Sequence, residues 1–180
     1  MAQDSTKVRV AITGAVSMGL TTATAPTTAS SVLTGFADLG YVSDAGVTET
    51  RGRSTKKITA WQNADTVREV VTESDLKYKA QLIETSKATV ELYYGATVTQ
   101  TVSEGSFPII PASTGGRRSF VIDVVDGAEL IRTYIPSGEV TEVGDRVYAN
   151  GEPIGYEVTI TAYPVGGMSA KQFATALKTP

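Results

Sequence analysis

Arg118-Ser-Phe-Val-Ile-Asp-Val-Val-Asp-Gly-Ala-Glu-Leu-Ile-Arg-Thr-Tyr-Ile135 is two alternating apolar runs joined by a turn signal. Arg118 to Val125 and Ala128 to Ile135 flank Asp126-Gly127. Asp-Gly between such runs is the strongest short-range hairpin signal a sequence carries. The same alternation predicts strands over 76–84, with Leu76, Tyr78, Ala80 and Leu82 on one face, and over 156–163, with Tyr156, Val158, Ile160 and Ala162. Side chains of a strand point to opposite faces in turn, so each of these runs has one face to bury. Thr and Val are abundant and Leu is scarce, which suits a pleated sheet.

Working outward, the pattern predicts further strands at 8–12, 47–51, 56–61, 66–72, 97–102, 139–143 and 146–148. Turns are expected at Asp44-Ala45-Gly46, Asn63-Ala64-Asp65, Pro136-Ser137-Gly138 and Asn150-Gly151. Gly52 reads as the centre of a basic hairpin tip. Pro108 and Pro111 argue against a strand through Ile109 and Ile110. The stretch 20–34 is small, polar and interrupted by Pro26, so it reads as a long loop. The period changes at residue 85. Thr85 or Ser86 can cap a helix, Gly95 can end it, and Ala88, Val90, Leu92, Tyr93 and Tyr94 form an apolar stripe between them. Met168 to Lys178 is expected as a short C-terminal helix. The count is nine or ten strands and one internal helix, which argues for an antiparallel β-sandwich or barrel with a packed helix. No internal repeat and no linker divides the chain, so 1–180 reads as a single domain.

Composition removes much chemistry. The 180 residues contain no cysteine and no histidine. Disulfides, thiol nucleophiles, thiolate or imidazole metal sites and Ser-His-Asp triads are therefore impossible. Sixteen basic residues against nineteen acidic give a net charge of −3, unlike the strongly basic domains that bind nucleic acid. No apolar run is long enough to span a membrane, and the first residues do not read as a secretory signal.

Apparent enzyme motifs dissolve on inspection. Val10-Ala11-Ile12-Thr13-Gly14-Ala15, with Gly19 and Asp38, imitates a dinucleotide fingerprint. The third glycine is missing, and Pro26 interrupts the segment where the phosphate-binding helix should start. Ser54-Thr55-Lys56-Lys57 and Ser74-Asp75-Leu76-Lys77 match Ser-x-x-Lys without its companion motifs. The carboxylates are spread over strands with no metal-ligand spacing. The chain therefore reads as a non-enzyme without cofactor or metal. An enzyme or sugar-binding sandwich is the contrasting reading, because paired carboxylates can come from distant strands. Arg51, Arg53, Lys56 and Lys57 form a basic group beside Trp61. They read as solvated hairpin residues or as contacts to a neighbouring subunit.

One segment is more specific. Leu39-Gly-Tyr-Val-Ser-Asp-Ala-Gly-Val-Thr-Glu-Thr50 is followed by Arg53-Ser54-Thr55, Ile58, Ala60-Trp61, the stretch 67–79, Leu82-Ile-Glu-Thr-Ser-Lys87 and Leu92-Tyr-Tyr-Gly95. This order resembles the major tail tube proteins of siphophages, particularly those infecting actinobacteria. The resemblance is close over 39–95 and general elsewhere. It implies a β-sandwich with one flanking helix, whose subunit edges join into a ring-wide barrel. It implies hexameric rings stacked as the tail tube, the conduit for genome ejection. The implied partners are further copies of the chain, the tape measure protein, tail tip and terminator proteins, and double-stranded DNA passing without specific binding. The implied location is the virion tail, after synthesis in the host cytoplasm, with no membrane. Many relatives carry a C-terminal immunoglobulin-like domain, which this chain is expected to lack. A terminator-like ring or a tube protein of a contractile injection system is the neighbouring reading.

Two sets of site residues follow. The loop 20–34 and the excursion 44–65 are larger than a small sandwich needs, and make sense as segments for inter-subunit contact. Arg51, Arg53, Lys56, Lys57 and Trp61 are the contact candidates. Acidic side chains on a lumen wall would repel DNA phosphates and keep the genome sliding. Glu69, Glu73, Asp123 and Glu157 are the lumen-facing candidates.

Overall fold

In the computed structural model, which describes residues 3–178, ten strands and one α-helix carry the chain. In order they are β1 (Thr13–Gly19), β2 (Phe36–Asp38), β3 (Val42–Thr59), β4 (Thr66–Leu82), α1 (Lys87–Tyr94), β5 (Thr99–Gln100), β6 (Gly105–Ser106), β7 (Arg118–Asp126), β8 (Glu129–Val143), β9 (Tyr156–Ala162) and β10 (Lys171–Ala174). The main sheet runs β2-β1-β7-β8-β9-β4-β3, with β10 also on β8, and β5 pairs with β6 separately. All of these pairings are antiparallel. The ends of the expected 1–180 domain, Met1, Ala2, Thr179 and Pro180, lie outside the described residues.

The sheet folds over on itself. β1 and β3 lie near opposite ends of the strand order yet come back into contact. No strand pairing joins them, so the monomer is not a closed barrel. The inward faces of β1, β4, β7, β8 and β9 enclose Phe120, Ile135, Tyr156, Ile160 and Leu82. Helix α1 covers this core with Val90 and Leu92. Its start and stop follow the sequence: Ser86 Oγ accepts a hydrogen bond from the Thr89 amide at 3.2 Å, and Gly95 ends it at φ 59°. The Thr89 hydroxyl donates to the Leu39 carbonyl at 2.9 Å, tying the helix to the β2–β3 connection.

Several local expectations need correction. Residues 8–12 are not a strand; β1 begins at Thr13, and Val8, Val10 and Ile12 lie exposed. Asp44-Ala45-Gly46 is not a turn but part of a large bulge inside β3, where four residues separate the register pairs Val42–Leu82 and Val47–Ala80. Gly52 is not a tip. The expected pairs of strands at 47–51 and 56–61, and at 66–72 and 76–84, merge into two long arms of a single hairpin. Its turn is the one expected at Asn63-Ala64-Asp65, with both Asn63 and Ala64 at positive φ.

Pro136-Ser137-Gly138 does not turn either. β8 runs through it, staying paired with β7 as far as Gly138 while its other partner changes from β10 before it to β9 from Gly138 onward. The glycine signals close approach here: a Cβ on Gly138 would stand 2.8 Å from Ile160 Cγ2 and 2.9 Å from Phe120 Cδ2. Thr97–Val102 shrinks to the two-residue β5. Residues 146–148 form no strand, and Met168–Lys178 holds β10 and a 3₁₀ turn in place of a helix. The prolines at 108 and 111 do keep Ile109 and Ile110 out of a strand.

Candidate assembly surface

The β3–β4 hairpin has two parts. At its root, Tyr78, Ala80 and Leu82 are buried and β4 pairs with β9 from Lys77 to Leu82. Beyond Leu76 the hairpin leaves the body. Residues 66–75 are exposed throughout, and so are 53–59 on the opposing strand. Ile58, Val67, Val70 and Val71 nevertheless lie along it, and Trp61 beside the turn is 99% exposed. A two-stranded ribbon with neither face covered is marginal in water. The outer edge of β3 has no strand partner from Val42 to Thr59. An open edge of that length is a template for pairing with another chain.

Two bulges on β4 set which side chains share a face. Thr72 and Val67 are the extra residues, between the register pairs Ser54–Glu73 and Thr55–Val71, and between Ile58–Arg68 and Thr59–Thr66. The Thr72 hydroxyl donates to the Ser54 carbonyl at 3.3 Å. Each bulge exchanges the faces of the residues beyond it. Glu73 therefore shares the outward face with Lys77 and Lys79. Glu69, past the Thr72 bulge, turns to the other side. There it stands opposite Lys57 and accepts a hydrogen bond from Thr55 Oγ1 at 2.6 Å.

Where β4 pairs with β9, from Lys77 to Leu82, their outward face carries no large apolar side chain. Lys77 pairs with Glu142 at 3.0 Å and Lys79 with Glu157 at 2.9 Å, and Thr159 and Thr161 stand between. The hydrogen bond and charge of Glu142 raise the Lys77 pKa above its ordinary value. Glu73 has no ion-pair partner among the described residues and leaves this face with acidic character. Asp123 lies elsewhere. Its carboxylate receives Arg132 Nε at 2.6 Å and Nη2 at 2.7 Å, and Arg132 also donates to the Ser31 carbonyl. This buried clamp pins the 20–34 loop to the sheet; the Ser119 hydroxyl, donating to the Leu20 carbonyl at 2.6 Å, fixes the loop's start.

The structure thus spreads the contact candidates along the projecting hairpin, with Arg51 and Arg53 near its root, Lys56 and Lys57 further out, and Trp61 at the end. Glu73 and Glu157 share one face; Glu69 and Asp123 do not join them. Sequence reading missed a second clamp. Arg146 lies over the rings of Tyr148 at 4.7 Å and Tyr156 at 4.8 Å, and donates to the Tyr94 and Tyr156 hydroxyls. It holds the 144–155 loop against α1. Its only signal in sequence was an arginine amid tyrosines far apart in the chain.

Among the described residues no helix is long and apolar enough to cross a membrane, and no cluster of carboxylates could hold a metal ion. These features define a class: a mainly β protein whose most elaborate surface is an open sheet edge and an uncovered hairpin. The family follows from the sequence match. A model of phage tail tube proteins matches residues 1–176, and the chain belongs to that family. Family membership points to a structural, non-enzymatic role in the tail tube of the virion. No curated protein matches the chain. Solved structures with a similar course include the tail of an empty gene transfer agent particle refined with C6 symmetry. It shows 9% identity and a TM-score of 0.46, over 91% of this chain and 96% of that one. The baseplate of the anti-feeding prophage, 6-fold symmetrised, is similar at 11% identity and a TM-score of 0.45, over 96% of this chain and 97% of that one.

Proposed function

We propose that this chain assembles into hexameric rings that stack as the tail tube, and that the tube conducts the genome during ejection. The observation that carries this reading is the β3–β4 hairpin, an exposed ribbon with an unpartnered edge and five large apolar side chains in water. A heterologous contact that closes makes a ring, and joining open edges between copies removes the hazard they pose to a free monomer. In this assembly Arg51, Arg53, Lys56, Lys57 and Trp61 lie at subunit contacts. The outward face of β4 and β9 lines the lumen, with Glu73 and Glu157 as its acidic members. Its lysines are paired to glutamates, so DNA phosphates meet threonine hydroxyls and a mildly acidic wall that lets them slide. The tape measure protein fills this lumen before ejection, and tail tip and terminator proteins bound the tube at its ends. The chain acts as one such unit without a cofactor.

Electron microscopy of the purified chain at rising concentration, with and without tail tip complexes, tests the reading. Hollow rods of uniform width are expected. Rings that never stack would instead indicate a terminator-like part. The chain's single tryptophan gives a second readout. Trp61 emission is expected at the water-exposed wavelength in monomer and blue-shifted in tubes. A chain whose hairpin is cut back to the Gly52–Asp75 pair should stay folded and lose tube formation.

A further inference from the structure

Between the two open ends of the sheet lies a wedge of about 780 Å³, lined by β1 on one side and the bulged start of β3 on the other. Both walls are strand edges without a strand partner. β2 covers only Ser17 to Gly19 of β1, leaving Thr13 to Ala15 uncovered on the side away from β7. The wall from Val42 to Val47 belongs to the unpaired edge of β3. Asp38, Asp44 and Glu84 give the wedge an acidic rim.

A matching segment leads into the wedge, and its last two residues, Ala11 and Ile12, line it at the start of β1. Lys7-Val-Arg-Val-Ala-Ile12 has the alternation of a strand but forms none. Val8, Val10 and Ile12 are each more than half exposed. The segment is tied at its end by the Ile12 amide donating to the Val125 carbonyl at 3.1 Å, and is otherwise held lightly, by the Val10 amide donating to Asp126 Oδ2 at 3.2 Å and by long ion pairs from Arg9 to Asp126 and Glu129, at 4.0 and 3.8 Å. Its charged members, Lys7 and Arg9, are both basic.

We propose that the wedge receives residues 7–12 of a second copy of this chain as an added strand. The strand satisfies the free backbone edge, covers Val8, Val10 and Ile12, and sets Lys7 and Arg9 against the acidic rim. The inference rests on the self-assembly reading and names one of its joints. It explains why a segment with strand periodicity stays outside the sheet of the monomer: its sheet is the neighbour's.

The absence of cysteine makes the test clean. A chain carrying Val10→Cys is mixed with a size-tagged chain carrying Asp44→Cys and oxidised under assembly conditions. The expected result is a mixed disulfide as the main cross-linked product. Tubes that form without that product overturn this inference and leave the tube reading standing. The mixed disulfide without tubes or rings does the reverse. If a chain with Arg53→Cys cross-links to Asp44→Cys in its place, the occupant is the neighbour's hairpin and the inference falls. Val10→Asp supplies the second variant. Val10 is exposed in the free chain, so the melting temperature should be unchanged while joining is lost. A Val10→Asp chain that joins like the parent overturns the inference.

Discussion

The body of the molecule and its projecting hairpin are built from the same alternating sequence, yet only one of them has a core. In β7 and β9 the inward positions are filled by Phe120, Ile122, Val158 and Ile160, all nearly inaccessible to water. In the outer hairpin Val71 continues the inward face, Val70 takes the opposite one and Val67 sits at a bulge, and all three stay exposed. Alternation shows that a strand has an apolar side. It does not show whether that side is covered by the same chain or by another. The body completes its own burial, and the hairpin presents burial still to be made.

The largest expected effect separates the two regions directly. Phe120→Ala opens a cavity in a closed core and should lower the unfolding free energy by about 3–5 kcal/mol. Val71→Ala removes apolar surface that water already reaches, so the monomer should change by less than about 0.5 kcal/mol. In assembled tubes the order should shift, with Val71→Ala raising the concentration needed for assembly. Chemical denaturation of the monomer and sedimentation of tubes check the two halves. If Val71→Ala destabilised the monomer as strongly as Phe120→Ala, the hairpin would have a cover within its own chain.

The Arg132 clamp gives the next effect. Arg132→Met leaves Asp123 without its bidentate partner and frees the Ser31 carbonyl. Breaking a buried pair from one side costs about 3 kcal/mol or more, and Asp123's partial access to water places this one at the lower end. The double replacement Arg132→Met with Asp123→Leu should recover much of the loss. Protease cleavage within 20–34 should increase in the single variant. A single variant of unchanged stability and cleavage would mean that the loop is held by its other contacts.

Much of the body was legible because its signals are local. Ser86 and Gly95 bound the helix by cap chemistry, and the hairpin of β7 and β8 follows from Asp126-Gly127. The one-residue placement of that turn mattered. With Asp126-Gly127 as the two loop residues, Asp123 faces Leu130. In the structure the loop is Gly127-Ala128, and Asp123 faces Arg132. The clamp was therefore within reach of the sequence and hidden by a shift of one. The long hairpin was harder to read. Gly52 and Asp44-Ala45-Gly46 carry turn composition, but here they serve a long strand and a bulge. At Gly52 the Asp75 carboxylate lies across the position a Cβ would take. The lumen candidates divided for the same reason: the bulge at Thr72 exchanges faces, and no composition rule marks it.

Alkaline pH sharpens the comparison by the smallest effect. Tyr78 lies on the inward face at the root of the hairpin, where burial and the adjacent Glu49 carboxylate raise its pKa well above the ordinary tyrosine value near 10. The fold therefore favours the neutral phenol. Its contribution is complete below about pH 10 and is lost as pH rises from there through the folded value, at about 1.4 kcal/mol per pH unit. Lys77, one residue away on the outward face, also has a raised pKa, so the benefit of its pair with Glu142 fades over the same alkaline range. The two differ in burial. Tyr78→Phe should flatten the alkaline fall in body stability by about one proton's slope, and cost about 1 kcal/mol at neutral pH from the lost hydrogen bond of its hydroxyl to Glu49. Lys77→Met, on a solvated face, should leave that fall nearly unchanged. Denaturation midpoints between pH 8 and pH 11 distinguish them. An equal response in both variants would place the root of the hairpin in water, and move the boundary between body and arm inward from Leu76.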